Sequence, residues 1–170
     1  MSIDGEKMVD MTEKRLTRYR REHLGYVFQM YNLIPNLNIK ENIEVGAYLS
    51  DNPLNIDDLL HTLGLYEHRH KLPNQLSGGQ QQRTSIGRAL VKNPDILLCD
   101  EPTGALDYST SKEILKLIGD VNQRYGNTVI MVTHNDAIKE MADTVVKLRD
   151  GKIRKAYRNE NKISAEELDW

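Results

Sequence analysis

The sequence of 170 residues has few of the features that form cross-links or membrane spans. Its single cysteine, Cys99, excludes an intramolecular disulfide and a zinc site made of several cysteines. No stretch approaches the roughly 18 apolar residues of a membrane span, and the N-terminus lacks the apolar core of a signal peptide. A net charge of −2 excludes binding to nucleic acid through net charge alone. These absences predict one soluble, cytosolic domain.

Helical and strand-like segments alternate along the chain, an order that is typical of α/β folds. Two continuous apolar runs, at 96–99 and 128–132, predict strands that are buried on both faces and therefore parallel. A shorter strand is expected at 25–28. Near the C-terminus, Asp150-Gly151 separates two strand-like runs and predicts a hairpin with a tight turn.

Amphipathic segments predict helices around these strands. A basic helix is expected at 13–23, and a longer helix from Ser109 to the terminating Gly126. Residues 39–91 hold several helical segments and predict a helical subdomain inserted in the sheet core. The last residues, 159–170, are polar and are predicted to form either a short capped helix or a tail.

Two adjacent carboxylates follow the first apolar run. Asp100 and Glu101 lie where parallel strands end, which is the edge at which α/β sheets bind ligands. Because successive side chains point in different directions, Asp100 can hold Mg²⁺ through water while Glu101 polarises an attacking water. By itself the pair also fits a strand that ends in a solvated acidic turn.

A glycine pair stands at the start of the helix predicted from residue 77 towards residue 91. In the string Leu76-Ser77-Gly78-Gly79-Gln80, the glycines let backbone N–H groups approach an anion at the helix N-terminus, and Ser77 adds a hydroxyl donor. The simple alternative is a helix cap followed by a glycine turn. The full string, continued by Arg83, is more specific than that alternative.

Two further polar side chains follow strands. Gln29 ends the short strand, where its amide could reach a metal or water, and His134 follows the second apolar run, where it could contact a phosphate. Each alone fits a cap or a surface residue equally well.

Taken in this order, the motifs resemble those of the ATP-binding cassette of ABC transporters. Phe28-Gln29 looks like the Q-loop of that family, and residues 76–80 match its signature motif. Residues 96–101 match Walker B with its catalytic glutamate, residues 105–107 match the D-loop, and His134 matches the switch histidine. The resemblance extends to about Tyr157 and implies a P-loop NTPase-like parallel sheet with a helical subdomain. The strings at 28–29, 32–35 and 101–107 look most like the branch that serves macrolide-exporter, lipoprotein-release and antimicrobial-peptide export systems.

The resemblance implies an ATP hydrolase that uses Mg²⁺ and works as a dimer of cassettes, a homodimer by expectation. By the same resemblance, phosphate on the partner cassette would be bound by Ser77, Gly78, Gly79 and Gln80, and the metal and water would be ordered by Gln29 and Asp100. Glu101 would act as general base, and His134 would contact the γ-phosphate. Asp107 would form a bridge between the halves. A membrane permease would bind at residues 31–45, which implies a peripheral location at the cytoplasmic, inner face of the cell membrane. The apolar members of this stretch, Leu33, Ile34 and Leu37, fit the core of the helical subdomain equally well. No nucleic-acid partner is implied.

One motif of that family, G-x-x-x-x-G-K-[ST], is not found in the sequence. We therefore expect residues 1–158 to be an N-terminally truncated cassette with an exposed sheet edge and exposed apolar surface, and 159–170 to be a polar tail. Such a chain should bind ATP weakly and hydrolyse it negligibly by itself. Two alternatives stay open: a non-catalytic fragment that supplies its signature motif in trans, and a soluble ABC ATPase that serves no permease.

Overall fold

The computed structural model describes residues 2–3, 6–7 and 11–169. Within these ranges, 3₁₀ turns lie at Tyr66–His68, Pro73–Gln75 and Asp136–Met141. The strands and the α-helices, in chain order, are β1 (Ser2–Ile3), β2 (Glu6–Lys7), α1 (Glu13–His23), β3 (Leu24–Val27), α2 (Ile39–Ala47), α3 (Ile56–Thr62), α4 (Gly78–Leu90), β4 (Ile96–Asp100), α5 (Tyr108–Tyr125), β5 (Thr128–Val132), β6 (Thr144–Arg149) and β7 (Lys152–Arg158).

The centre of the fold is a three-stranded parallel sheet in the order β3-β4-β5. Val27 pairs with Cys99, and Cys99 pairs with Met131, so the three strands run in register. The prediction of an α/β fold with a parallel sheet is confirmed.

The prediction that β5 is buried is wrong. Ile130 is 42% exposed and Val132 is 61% exposed. Because β5 is an edge strand, and because its face shared with Tyr26 is left open by the described elements, these side chains remain accessible to solvent. The opposite face, with Val27 and Cys99, joins the main core. Among the described residues, β5 is therefore an edge strand with one face on the core and exposed apolar side chains on the other.

Helices α2, α3 and α4 lie between β3 and β4 in the chain and supply much of that core. Each begins directly after a polar N-cap whose side chain accepts a backbone hydrogen bond, Asn38, Asn55 or Ser77. The apolar stripes predicted from helical spacing are buried together with that of α5: Ile39, Ile43, Leu59, Leu60, Leu63, Ile114, Leu117, Ile118 and Val121. None of the helices in the described ranges is both long and apolar enough to cross a bilayer.

The C-terminal part consists of the predicted hairpin β6–β7 and a packed segment at 159–169. The hairpin turns at Asp150 and Gly151, whose φ values of 52° and 69° suit a tight turn between twisted strands. After it, Leu168 is fully buried in a second, small core with Leu115 and Ile138. Although this segment is polar in composition, it therefore packs against α5 through Leu168 and Leu115.

Candidate functional site

Three parallel strands bring the predicted site residues to one edge of the sheet. Gln29 follows β3 by two residues, Asp100 is the last residue of β4, and His134 follows β5 by two residues. Because the strands are parallel and β4 is central, their carboxyl ends meet at the same edge. The structure thus places the strand-end residues as the sequence predicted.

Glu101 has a left-handed backbone, with φ of 45°. Such a conformation is uncommon for a residue other than glycine and is frequent at functional sites. It occurs directly after the last residue of β4, and the Glu101 N–H still donates to the carbonyl oxygen of Val132 at 2.9 Å. The chain therefore turns sharply at Glu101 while it stays attached to β5.

The Glu101 carboxylate is held by the segment that follows β5. Its Oε1 accepts a hydrogen bond from the backbone N–H of His134 at 2.8 Å and lies 2.8 Å from Nδ1 of the same residue. The Thr133 hydroxyl is 3.3 Å from Oε2. The strand-end glutamate and the strand-end histidine thus form a direct pair.

This pair lies at a cavity of about 430 Å³. The Glu101 side chain is 19% exposed, whereas the His134 side chain is 82% exposed. The cavity is polar on most sides, and its lining consists of Glu101, Thr103, Gly104, Leu106, Tyr108, Ser111, Thr133, His134 and Asn135. A water in it could donate a proton to a fixed carboxylate, with an exposed imidazole beside it.

Asp100 and Gln29 are the candidates for Mg²⁺. The Asp100 carboxylate is exposed and receives no hydrogen bond or ion pair from residues 11–169. The Gln29 amide packs against Gly104, because a Cβ built on Gly104 would lie 2.7 Å from Gln29 Nε2. The described residues contain no group of three His, Cys, Asp or Glu side chains that could hold a metal. One free carboxylate with a nearby amide fits Mg²⁺, which keeps waters and takes phosphate oxygens as its other ligands.

The start of α4 is a second candidate site, residues 77–80, called the second site below. Ser77 and Gln80 make a capping box, in which the Gln80 N–H donates to Ser77 Oγ at 3.2 Å and the Ser77 N–H donates to Gln80 Oε1 at 3.1 Å. A Cβ on Gly79 would lie 2.7 Å from Thr110 Cγ2, so this position also needs glycine for packing. None of residues 77–80 lines the cavity of Glu101 and His134.

Asp107 is the N-cap of α5. Its carboxylate accepts from the Thr110 N–H at 3.0 Å and from the Thr110 hydroxyl at 2.7 Å. These hydrogen bonds lower the pKa of Asp107. The observed contacts explain this aspartate as a helix cap, and its role as a bridge between cassettes stays a prediction.

Sequence reasoning missed two residues that support the site. Thr133 bonds the Glu101 carboxylate and, through its Oγ1, accepts from the Asn135 N–H at 3.1 Å; its position beside His134 was the available signal. Gln82 is fully buried, and its Nε2 donates to the carbonyl oxygen of Pro102 at 2.8 Å. Gln82 thereby connects α4 to the loop after Glu101 through a hydrogen bond. The sequence offers no feature that distinguishes Gln82 from the glutamines beside it.

Comparison with known proteins gives consistent matches. Residues 1–104 match the family described as ABC transporter. The chain is 47% identical over 171 residues to a putative ABC transporter ATP-binding protein (MG065 homolog) of Mycoplasma pneumoniae, covering 99% of this chain and 37% of that protein. It is 40% identical over 156 residues to the macrolide export ATP-binding/permease protein MacB of Bartonella henselae, covering 89% of this chain and 24% of that protein. The chain thus spans well under half the length of these two relatives.

A solved structure has the same fold. The dimeric ATP-binding cassette MJ0796, in a post-hydrolysis state bound to ADP and Pi, superposes with a TM-score of 0.78 at 36% identity. The match covers 93% of this chain and 72% of that chain.

Proposed function

The chain belongs to the ABC transporter family, and on that premise we propose that it is the ATP-binding part of a transporter, in which ATP hydrolysis by paired cassettes drives a membrane permease. The observation that supports this most directly is the pairing of Glu101 with His134 at the carboxyl edge of the sheet. A carboxylate held in this way beside a cavity is suited to act on a water molecule.

In this proposal Glu101 receives or orients the proton of the water that attacks the γ-phosphate. Each of its oxygens has two lone pairs, and its contacts with His134 and Thr133 leave room for one more donor. The exposed ring of His134 reaches outward from the same carboxylate and would contact the γ-phosphate. Positioning of water and phosphate is the main contribution of the protein in phosphoryl transfer.

Asp100 and Gln29 would hold Mg²⁺ beside this pair. The metal would neutralise charge that develops on the phosphate oxygens. The unpaired carboxylate of Asp100 supports this role, since an exposed acid beside an anionic nucleotide is unfavourable without a cation.

The second site, residues 77–80, would act on ATP bound to a partner cassette. Its separation from the cavity of Glu101 supports action in trans, as does the dimeric state of the cassette MJ0796. Helix α4 would direct backbone N–H groups of Gly78 and Gly79 towards the partner's phosphates, aided by the helix dipole. Asp107 would lie between the halves.

The permease would bind at residues 31–45. Within this stretch Ile34 is exposed, and Leu33 and Leu37 are half-buried, so an apolar surface is available next to the Gln29 segment. Binding there would place the protein peripherally at the cytoplasmic face of the membrane, and the joined ATP-binding and permease protein MacB supports a partner of this kind.

The test is replacement of Glu101 by glutamine in a cassette completed with a G-x-x-x-x-G-K-[ST] segment, because the chain itself is expected to bind ATP weakly. Glu101→Gln removes the proton acceptor but keeps the shape, so ATP turnover should fall by about 10²–10⁴-fold while ATP still binds. The ATP-bound dimer should then persist in size-exclusion chromatography.

Glu140→Gln, the same change on an exposed carboxylate outside the cavity, is the matched control and should keep wild-type turnover. Undiminished turnover in Glu101→Gln would remove Glu101 from its proposed role.

A further inference from the structure

The segment between β3 and α2 has a strained start. Tyr31 and Asn32 both have left-handed backbones, with φ of 59° and 50°. Two successive residues other than glycine rarely adopt this conformation, and they keep it only where surrounding groups hold them. Inside the segment, the Tyr31 N–H donates to the Phe28 carbonyl oxygen and the Asn32 N–H to the Met30 carbonyl oxygen. The carbonyl oxygens of Tyr31 and Asn32 are held by a group from outside the segment.

The holding group is the side chain of Arg88, in the last turn of α4. Its Nη1 donates to the carbonyl oxygen of Asn32 at 2.7 Å, and its Nη2 donates to the carbonyl oxygen of Tyr31 at 3.1 Å. The rigid fork of a guanidinium offers two separate N–H groups to two adjacent carbonyls, whereas a lysine must serve both from one nitrogen, as Lys92 does towards the carbonyl oxygens of Arg20 and Arg21. Burial lowers the pKa of Arg88, so the charge is partly removed from water and depends on these two acceptors.

The same segment also contacts the other end of α4 and the loop after Glu101. The Tyr31 hydroxyl would lie 3.1 Å from a Cβ built on Gly78, in the first turn of α4. Two residues earlier, the Gln29 amide packs against Gly104. The short stretch from Gln29 to Asn32 thus connects the helix of the second site with the loop that carries Glu101.

We infer that Arg88 is a positioning residue, which fixes the Gln29–Asn32 stretch on α4 and thereby makes the Gln29 amide follow the position of the 77–80 site. The structural part of this inference stands on the contacts of Arg88 alone. Its consequence for turnover rests on the proposed function.

The far end of the segment is held separately by Asn42, which allows a sharp test. The fully buried amide of Asn42 accepts from the Ile34 N–H at 2.8 Å and donates to the Leu37 carbonyl oxygen at 2.8 Å. It also donates to the carbonyl oxygens of Ile34 and Asn38. Loss of the Arg88 fork should therefore loosen Tyr31 and Asn32 and leave Leu37 in place.

The first measurement is amide hydrogen exchange of the full chain with Arg88→Met, which keeps an unbranched side chain and removes both donors. The Tyr31 and Asn32 amides should exchange at least about 10-fold faster, the lower end for loss of a charged hydrogen bond, with Leu37 and α4 unchanged. Arg83→Met is the matched control on the same helix, because Arg83 bonds Leu63 and Glu113 instead. Unchanged exchange at Tyr31 and Asn32 in Arg88→Met, or equal loosening in Arg83→Met, would overturn the inference.

The second measurement compares ATP turnover of a cassette completed with a G-x-x-x-x-G-K-[ST] segment, alone and assembled with its permease. Arg88→Met should lower the permease-stimulated turnover several-fold more than the basal turnover. Equal loss of both would indicate a merely structural role and overturn the link to Gln29. If the completed wild-type cassette shows no turnover, the proposed function fails, while the exchange result still decides whether Arg88 holds the segment.

Discussion

Replacement of Gly46 by alanine should separate α2 from α4, because the backbones of these two helices approach each other at Gly46. A Cβ on Gly46 would lie 2.2 Å from the carbonyl oxygen of Arg88 and 2.7 Å from Val91 Cγ1. The oxygen belongs to the backbone of α4, so the clash is relieved only if one helix moves by more than 1 Å (roughly the gap to ordinary contact). Neighbouring buried side chains such as Ile43 would then lose contacts.

The magnitude follows from two opposing effects. Overpacking of a core costs about 3 kcal/mol at the upper end of its usual range, and the better helix propensity of alanine returns about 1 kcal/mol. The net loss is about 2 kcal/mol, which lowers Tm by roughly 4–8 °C in a domain of this size. Urea denaturation followed by circular dichroism at 222 nm would measure it.

Gly119→Ala is the matched control. Gly119 lies inside α5, and a Cβ there has nothing within 4 Å. Only the propensity gain applies, so this variant should be more stable than the wild type by about 0.5–1 kcal/mol. If Gly46→Ala proves as stable as Gly119→Ala, the spacing of α2 and α4 is not limited by Gly46 and the steric reasoning is refuted.

Two further predictions concern the C-terminal segment and the nucleotide. Leu168→Ala removes a fully buried side chain from the second core and should lower the free energy of unfolding, measured by urea denaturation, by about 2–5 kcal/mol. A decrease below about 0.5 kcal/mol, the scale of a surface substitution, would mean that the segment 159–169 does not pack against α5 in solution. Calorimetric titration of the chain with Mg²⁺ and ATP should show weak binding, because its sequence holds no G-x-x-x-x-G-K-[ST] motif to cradle the phosphates, and a tight complex would contradict that reasoning.

The elements and strand ends were predictable because local signals agree with the fold. The apolar run before Asp100 and the one before His134 are long enough to identify strands, and parallel pairing then places the polar residues that follow them at one edge. The caps at Asn38 and Ser77 fixed the starts of α2 and α4. At these positions the spacing of apolar residues and the capping side chains predict the same secondary structure.

Other features depended on tertiary contacts that no local pattern encodes. The apolar composition of β5 resembles that of a strand buried on both faces, but the exposure of Val132 depends on which elements cover the sheet. The bonds from Arg88 to Tyr31 join residues far apart in the chain, and the burial of Leu168 needs α5 beneath it. The left-handed backbone of Glu101 likewise reflects its attachment to β5.

The contact between His134 and Glu101 gives the imidazole a fixed chemical direction. With Nδ1 on the carboxylate, a neutral ring carries its hydrogen on Nδ1, and Nε2 faces outward as a lone-pair acceptor. In that tautomer the ring has no hydrogen to offer an anion. Glu101 therefore sets what the outward edge of the ring can bind: a group that meets Nε2 must either bring its own hydrogen or meet a ring whose Nδ1 has changed partners.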